Sequence, residues 1–116
     1  MIVGIGLDIA DISRIEKAHI RQNTFAKRVL TEKEWDCFMG FHGKRQIEYL
    51  AGRFAAKEAF SKALGTGIGK VGFQDIEILN SSNGKPEITK SPFKGTCFIS
   101  LTHTDTIVAA QVILEK

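Results

Sequence analysis

A chain of 116 residues, 43% apolar and 25% charged, has room for one domain with one core and lacks the bias that keeps a segment disordered. Its net charge of +3 excludes a histone-like polycation and favours an acidic partner or an anionic ligand. Cys37 and Cys97 stand too far apart for a zinc knuckle or a disulfide scaffold. No stretch approaches the ~20 apolar residues of a membrane span, and the chain starts directly on a strand with no leader-like segment; a cytoplasmic location is expected.

Residues 2–9 are apolar and β-branched and predict a buried strand that closes on Asp8. A helix is expected over 13–22, where Ser13-Arg14-Ile15-Glu16 has capping-box spacing. Thr31-Glu32-Lys33-Glu34 is a second capping box and opens a helix through Met39, before a turn bracketed by Gly40 and Gly43. The longest element predicted runs from Lys44 to Leu64 with Gly65 as its C-terminal cap. Gly52 inside that helix costs about 1 kcal/mol relative to Ala, so a close backbone approach is expected there.

Beyond the helix the pattern turns to strands. Phe73 to Leu79 alternates apolar and polar with one slip, and Asn83-Gly84 signals a hairpin into a short edge strand over Pro86 to Thr89. Cys97 lies in an apolar run and reads as a buried small hydrophobe. Thr96 to His103 and Ile107 to Leu114 form a last pair, turning near Thr104-Asp105-Thr106. Helices first and a mainly antiparallel sheet after them make an α+β arrangement, with helices packed on the sheet.

Two acids sit where an acid is costly. Asp8 ends a buried strand. Glu58 continues the apolar stripe of Ile47, Leu50, Ala51 and Phe54, within roughly 30° of its mean direction at about 100° per residue. A carboxylate facing inward needs a partner. If helix packs on strand, the two acids can share one cation, and Lys62 lies one turn beyond Glu58. Two carboxylates and a lysine suit a Mg²⁺ site that handles phosphates.

Other motifs carry less. Gly67-Ile68-Gly69-Lys70-Val71-Gly72 fits GxGxxG but follows a helix and opens a strand, the reverse of a dinucleotide fingerprint. A P-loop fails because Leu64 stands at its first glycine and Val71 at its Ser/Thr. His103, among hydroxyls at a strand end, has no second His or Cys at metal-ligand spacing. Arg14, Lys17, Arg21, Lys27 and Arg28 form a basic stretch with little aromatic interleaving, which suits an acidic protein better than a nucleic acid. A nucleic-acid binding module leaves Asp8 and Glu58 unexplained. A Mg²⁺-dependent nucleotide hydrolase shares the acids and would release inorganic phosphate.

Gly4-Ile5-Gly6-Leu7-Asp8, then Phe54-Ala55-Ala56-Lys57-Glu58-Ala59-Phe60-Ser61-Lys62, resembles the paired motifs of the 4'-phosphopantetheinyl transferases. The short length and Ser100-Leu101-Thr102-His103 are similar to the small bacterial branch, the holo-[acyl-carrier-protein] synthases. The resemblance runs from Ile2 to Gln111, and neither motif departs from the family pattern. It implies residues 1–116 as a single domain of that fold. The implied reaction transfers 4'-phosphopantetheine from coenzyme A to a serine of apo acyl carrier protein, releases adenosine 3',5'-bisphosphate and supports fatty acid biosynthesis.

The resemblance also implies site roles: Asp8 and Glu58 on Mg²⁺ and the pyrophosphate, and Lys62 on the phosphates. Arg45, Arg53, His103 and Thr104 belong to the nucleotide and 3'-phosphate pocket, which the backbone of Gly65, Lys85 and Pro86 lines. Arg14 and Arg21 on the first helix receive the carrier protein. The serine proton goes to Glu58 or to a water on the metal, an alternative the residues leave open. The resemblance implies a homotrimer with shared active sites, no nucleic acid and no membrane. The apolar residues on both faces of Ile107 to Leu114 supply a motive, being more than one small core can cover.

Overall fold

The computed structural model describes residues 1–116. Its main sheet is built from strand β1 (Ile2–Asp11), β4 (Thr96–His103) and β5 (Ile107–Glu115), ordered β1-β5-β4 and antiparallel throughout. A separate antiparallel hairpin joins β2 (Glu77–Asn80) to β3 (Pro86–Lys90). Between β1 and β2 come α1 (Ile12–Arg21), α2 (Phe25–Val29), α3 (Glu32–Met39) and α4 (Gly43–Leu64). This is the expected α+β arrangement of helices on a mainly antiparallel sheet.

The packing of β1 inverts the usual alternation. Its small residues face the core and its large ones face outward. A Cβ on Gly6 would lie 1.8 Å from the Ala59 carbonyl oxygen, and one on Gly4 would lie 2.0 Å from that of Ala63. The backbone of α4 therefore rests directly on β1, with Ala59, Phe60 and Ala63 buried in the seam. Val3, Ile5, Leu7 and Ile9 point the other way and remain at least half exposed. Because side chains on a strand repeat every two residues, Asp8 shares the phase of Gly4 and Gly6 and is turned toward α4. Val108, Ala110, Val112 and Leu114 of β5 fill the rest of this inner face.

Helix α4 is enclosed on most sides, with Tyr49 to Arg53, Ala55 to Lys57 and Ala59 to Ser61 all buried. Gly65 ends it at φ +87°, accepting no Cβ penalty there, and donates its N–H to Ser61 (2.9 Å) and Lys62 (3.1 Å). The close approach expected at Gly52 is absent, since a Cβ there would meet nothing within 4 Å. The sequence alone could not separate a glycine kept for a neighbouring backbone from one on a pocket wall.

The capping box at Thr31 forms as predicted: Glu34 N–H donates to Thr31 Oγ1 (3.3 Å) and Thr31 N–H to Glu34 Oε1 (2.8 Å). The box at Ser13 does not form. Strand pairing continues to Asp11 opposite Ile107, and Ile12 N–H then donates to Thr106 O (2.9 Å). The helix thus begins at Ile12, and Ser13 falls inside its first turn.

Helix α2 has no counterpart among the predicted elements, being only 5 residues long, too short for periodicity to register. Its C-terminal carbonyls are collected from outside: Gln74 Nε2 donates to Lys27, Arg28 and Leu30, and Lys57 Nζ to Val29. Phe73–Asp75 is a 3₁₀ turn rather than strand, closed by Gly72 N–H donating to Asp75 Oδ2 (2.9 Å). The hairpin at Asn83-Gly84 forms as expected, with Gly84 at φ +86°. Cys97 is only partly buried.

Candidate active site

Asp8 and Lys62 meet where β1 crosses the last turns of α4. Lys62 Nζ donates to Asp8 Oδ1 at 3.0 Å and to Leu7 O at 3.1 Å. Asp8 is largely sheltered, its side chain 14% exposed, whereas that of Lys62 is 53% exposed. Glu58 sits one turn earlier on α4, half-buried. Burial first, and then the negative charge of Asp8, push its carboxyl above the ordinary range, with Lys62 offsetting part of the effect. Two acids from distant parts of the chain thus feel one another across a single lysine.

Asp8 and Glu58 open onto a cleft of about 310 Å³ together with Arg14, Ile15, Phe25 and Phe54. The rings of Phe25 and Phe54 lie 6.0 Å apart, and Phe54 continues to Phe73 at 5.6 Å, so one side of the cleft is aromatic. Phe25 and Phe54 as cleft walls had no clear signal in the sequence, because Phe25 stands on the short α2. On α1, Arg14, Lys17 and Arg21 are exposed at a spacing that puts them on one side of the helix.

The donor set fits a hard divalent cation. Both candidate ligands are carboxylates, and no group of three or more His, Cys, Asp or Glu could make an all-protein cage. Mg²⁺ keeps several waters and takes phosphate oxygens, so an incomplete protein set is what such an ion uses beside a polyphosphate.

A second pocket, about 120 Å³, lies at the other end of α4 and gathers Arg45, Glu48, Tyr49, Gly52, Arg53, Asn80, Thr102 and His103. Arg53 is buried; its Nε donates to Ile78 O and its Nη2 to Asn80 Oδ1, both at 3.1 Å, and it stacks on Tyr49. Much of its hydrogen bonding thus clasps α4 to β2. Arg45 stacks on Phe41, and His103 Nδ1 lies 3.9 Å from Glu48 Oε2. Thr104 lies beside this pocket; its Oγ1 accepts the N–H groups of Thr106 and Ile107 and holds the β4–β5 turn. Gly65 caps α4 near Lys62, while Lys85 and Pro86 stand on the β2–β3 hairpin; none of the three lines either cavity.

One chain therefore brings together Asp8, Glu58, Lys62 and Arg14 and, separately, Arg45, Arg53 and His103. It does not bring the two groups together. Arg45 and Lys62 lie on the same helix, about 25 Å apart along its axis at 1.5 Å per residue.

Lys57 carries no signal of its own in the sequence, yet it and Glu34 are the two fully buried charges of the molecule. Its Nζ donates to Glu34 Oε1 (2.6 Å), Val29 O (2.6 Å) and Phe73 O (2.9 Å), and both partners of the ion pair are wholly inaccessible. Burial pulls Lys57 below its ordinary value and Glu34 pushes back. Glu34 in turn accepts Ile78 N–H (2.7 Å), so α2, α3, α4 and β2 are tied at one point beside the cleft.

The model of the 4'-phosphopantetheinyl transferase superfamily matches residues 4–112. The chain is 56% identical over 116 residues to a holo-[acyl-carrier-protein] synthase of Streptococcus uberis and 58% to that of Streptococcus thermophilus, covering 100% of this chain and 98% of each relative. Among solved structures, the holo-(acyl-carrier-protein) synthase of Bacillus anthracis in complex with CoA (3',5'-ADP) superposes with a TM-score of 0.92 at 48% identity, over 98% of this chain and 96% of that one. The Helicobacter pylori enzyme in complex with coenzyme A gives 0.84 at 37% identity, over 96% and 99%. The chain belongs to the holo-[acyl-carrier-protein] synthases of the 4'-phosphopantetheinyl transferase superfamily and is an enzyme of that family.

Proposed function

We propose that this chain transfers the 4'-phosphopantetheine group of coenzyme A to a serine of apo acyl carrier protein, dependent on Mg²⁺, in the service of fatty acid biosynthesis. The observation that carries the reading is the convergence of Asp8, Glu58 and Lys62 where β1 crosses α4. The serine oxygen bonds to the phosphorus that carries the pantetheine arm. The bond from that phosphorus to the bridging oxygen breaks, and adenosine 3',5'-bisphosphate leaves. Asp8 and Glu58 would hold Mg²⁺, which when bound would supply positive charge against the pyrophosphate oxygens.

The remaining work falls to side chains. The half-exposed ammonium of Lys62 is free to reach a phosphate oxygen on which charge builds. Glu58, half-buried beside the cleft, is the chain's own carboxylate placed to accept the serine proton. Arg14 and Arg21, exposed on α1 beside the cleft, present positive charge to an acidic carrier protein. In this reading Arg45, Arg53 and His103, with Thr104 beside them, supply the charge suited to the nucleotide and its 3'-phosphate, while Gly65, Lys85 and Pro86, which line neither cavity of a single chain, meet it by their backbone only in the assembled enzyme.

The working unit in this reading is a homotrimer with each site shared by two copies. Two observations support it. On one chain the two sets of residues line separate cavities, and a neighbouring copy would complete each site. Ile5, Leu7 and Ile9 of β1 and Phe98 of β4 leave one sheet face apolar and half exposed, the kind of patch that marks an interface.

Mass spectrometry of apo acyl carrier protein incubated with the enzyme, coenzyme A and Mg²⁺ tests the reaction. A mass gain of one phosphopantetheine, abolished by excess EDTA, is expected. Release of free phosphopantetheine and adenosine 3',5'-bisphosphate without carrier protein would support the hydrolase reading instead.

A further inference from the structure

Lys62 has two acids within its reach at the edge of the cleft. Lys62 could pair with Glu58 on its own helix, four residues earlier, the favourable order for a helical pair. It pairs instead with Asp8 on the neighbouring strand, donating at 3.0 Å, and takes a second hold on Leu7 O at 3.1 Å. The Glu58 carboxylate has no hydrogen-bond partner within the chain. Its only cationic influence is the charge of Lys62, while Asp8 repels it. Asp8 is therefore already neutralised, and Glu58 is not.

A divalent cation that binds both acids must take Asp8 from Lys62, so the ammonium and the ion compete for one carboxylate. The side chain of Lys62 is 53% exposed and can leave without disturbing the core, whereas Asp8, at 14%, is held by its strand. Anionic phosphate at the cleft offers the displaced ammonium a new partner and removes that opposition.

We propose that Lys62 is a place-holder for the divalent cation, resting on Asp8 in the free enzyme and passing to the substrate's phosphate when metal and substrate arrive together. Lys62 then carries part of a positive coupling between the two ligands, and the coupling is reciprocal: each ligand tightens the other by the same factor. This rests on the transferase reading, because coenzyme A is taken as the phosphate ligand.

The test is calorimetric titration of Mg²⁺ into the wild-type enzyme and Lys62→Met, each without and with saturating coenzyme A, and with no carrier protein so that no transfer occurs. A half-exposed ion pair of this kind is worth about two- to five-fold in affinity. Lys62→Met should bind Mg²⁺ alone tighter by about that factor, and the enhancement of Mg²⁺ affinity by coenzyme A should shrink correspondingly. An equal tightening with and without coenzyme A would mean only that a nearby positive charge had been removed, and would overturn the place-holder. Unchanged Mg²⁺ affinity in the variant would overturn it as well. Failure of both proteins to bind Mg²⁺ under either condition would overturn the metal reading beneath it, a result distinct from the other two.

Discussion

Asp8 and Glu58, the proposed metal ligands, share the charge of one lysine and can be tested residue by residue. Asp8→Ala and Glu58→Ala should each lower transfer by orders of magnitude while leaving the melting temperature within a few degrees. The reason is that Glu58 has no hydrogen-bond partner and Asp8 only a half-exposed one. Transfer assays beside thermal melts check both halves, and full activity in either variant would exclude the assignment. Lys57, their neighbour in sequence, is expected to behave in the opposite way. Removing it leaves the wholly inaccessible Glu34 carboxyl without its cation. Breaking a buried pair from one side costs about 3–5 kcal/mol. Lys57→Met should therefore show a large loss in urea-induced unfolding; a loss under about 1 kcal/mol would mean that the pair contributes little. Adjacent positions on one helix should thus separate into loss of activity and loss of stability, since about 100° of rotation turns Lys57 toward α2 and α3 and leaves Glu58 facing β1.

At the scale of elements, the crossing of β1 and α4 is what aims Asp8. It depends on Gly4 and Gly6, whose missing Cβ atoms let the helix carbonyls approach. Gly6→Ala would place a methyl group 1.8 Å from the Ala59 carbonyl oxygen, and no side-chain rotation relieves a clash with backbone. The strand must move off the helix. Both stability and transfer should fall, with circular dichroism melts and activity declining together; an active Gly6→Ala enzyme of wild-type stability would contradict the crossing geometry. Helix α1 provides a different kind of test. Its basic residues are exposed, and their attraction for an acidic partner is screened over about 8–10 Å at ordinary salt. Arg14→Glu should raise KM for acyl carrier protein much more than KM for coenzyme A, and the difference should narrow as salt is added. Equal effects on the two substrates would argue against docking on α1.

At the scale of the whole molecule, the distance between the two groups of site residues makes the assembly testable. Asp8→Ala and Arg45→Ala should each be poorly active alone. Mixed after dissociation and reassembly, they should recover up to about a quarter of wild-type activity, because random mixing leaves that share of interfaces with both halves intact. No recovery in demonstrably mixed assemblies, or full activity in a monomer by sedimentation at working concentration, would rule out a shared site. Dilution below the assembly constant should abolish activity and expose the apolar outer face of β1, where Ile9 is 63% exposed in the single chain.

The α+β order, the capping box at Thr31, the Gly65 cap and the last strand pair were legible in the amino-acid sequence, because each depends on contacts within a few residues or on simple periodicity. The placement of acids in an apolar strand and within an apolar helix stretch was legible for the same reason, although Asp8 stands inside β1 rather than at its end, because pairing with β5 carries the strand on to Asp11. Helix α2, the turn at Phe73–Asp75, the helix start at Ile12 and the burial of Lys57 were not, since each is held by partners far away in sequence. Gln74 and Lys57 hold the end of α2 from 44 to 47 and 28 residues away, and Thr106 receives the Ile12 amide from β5's turn. The outward turn of the large side chains of β1 also depended on tertiary structure: alternation marks two faces of a strand, but only the arrival of α4 on the glycines selects which one becomes the core.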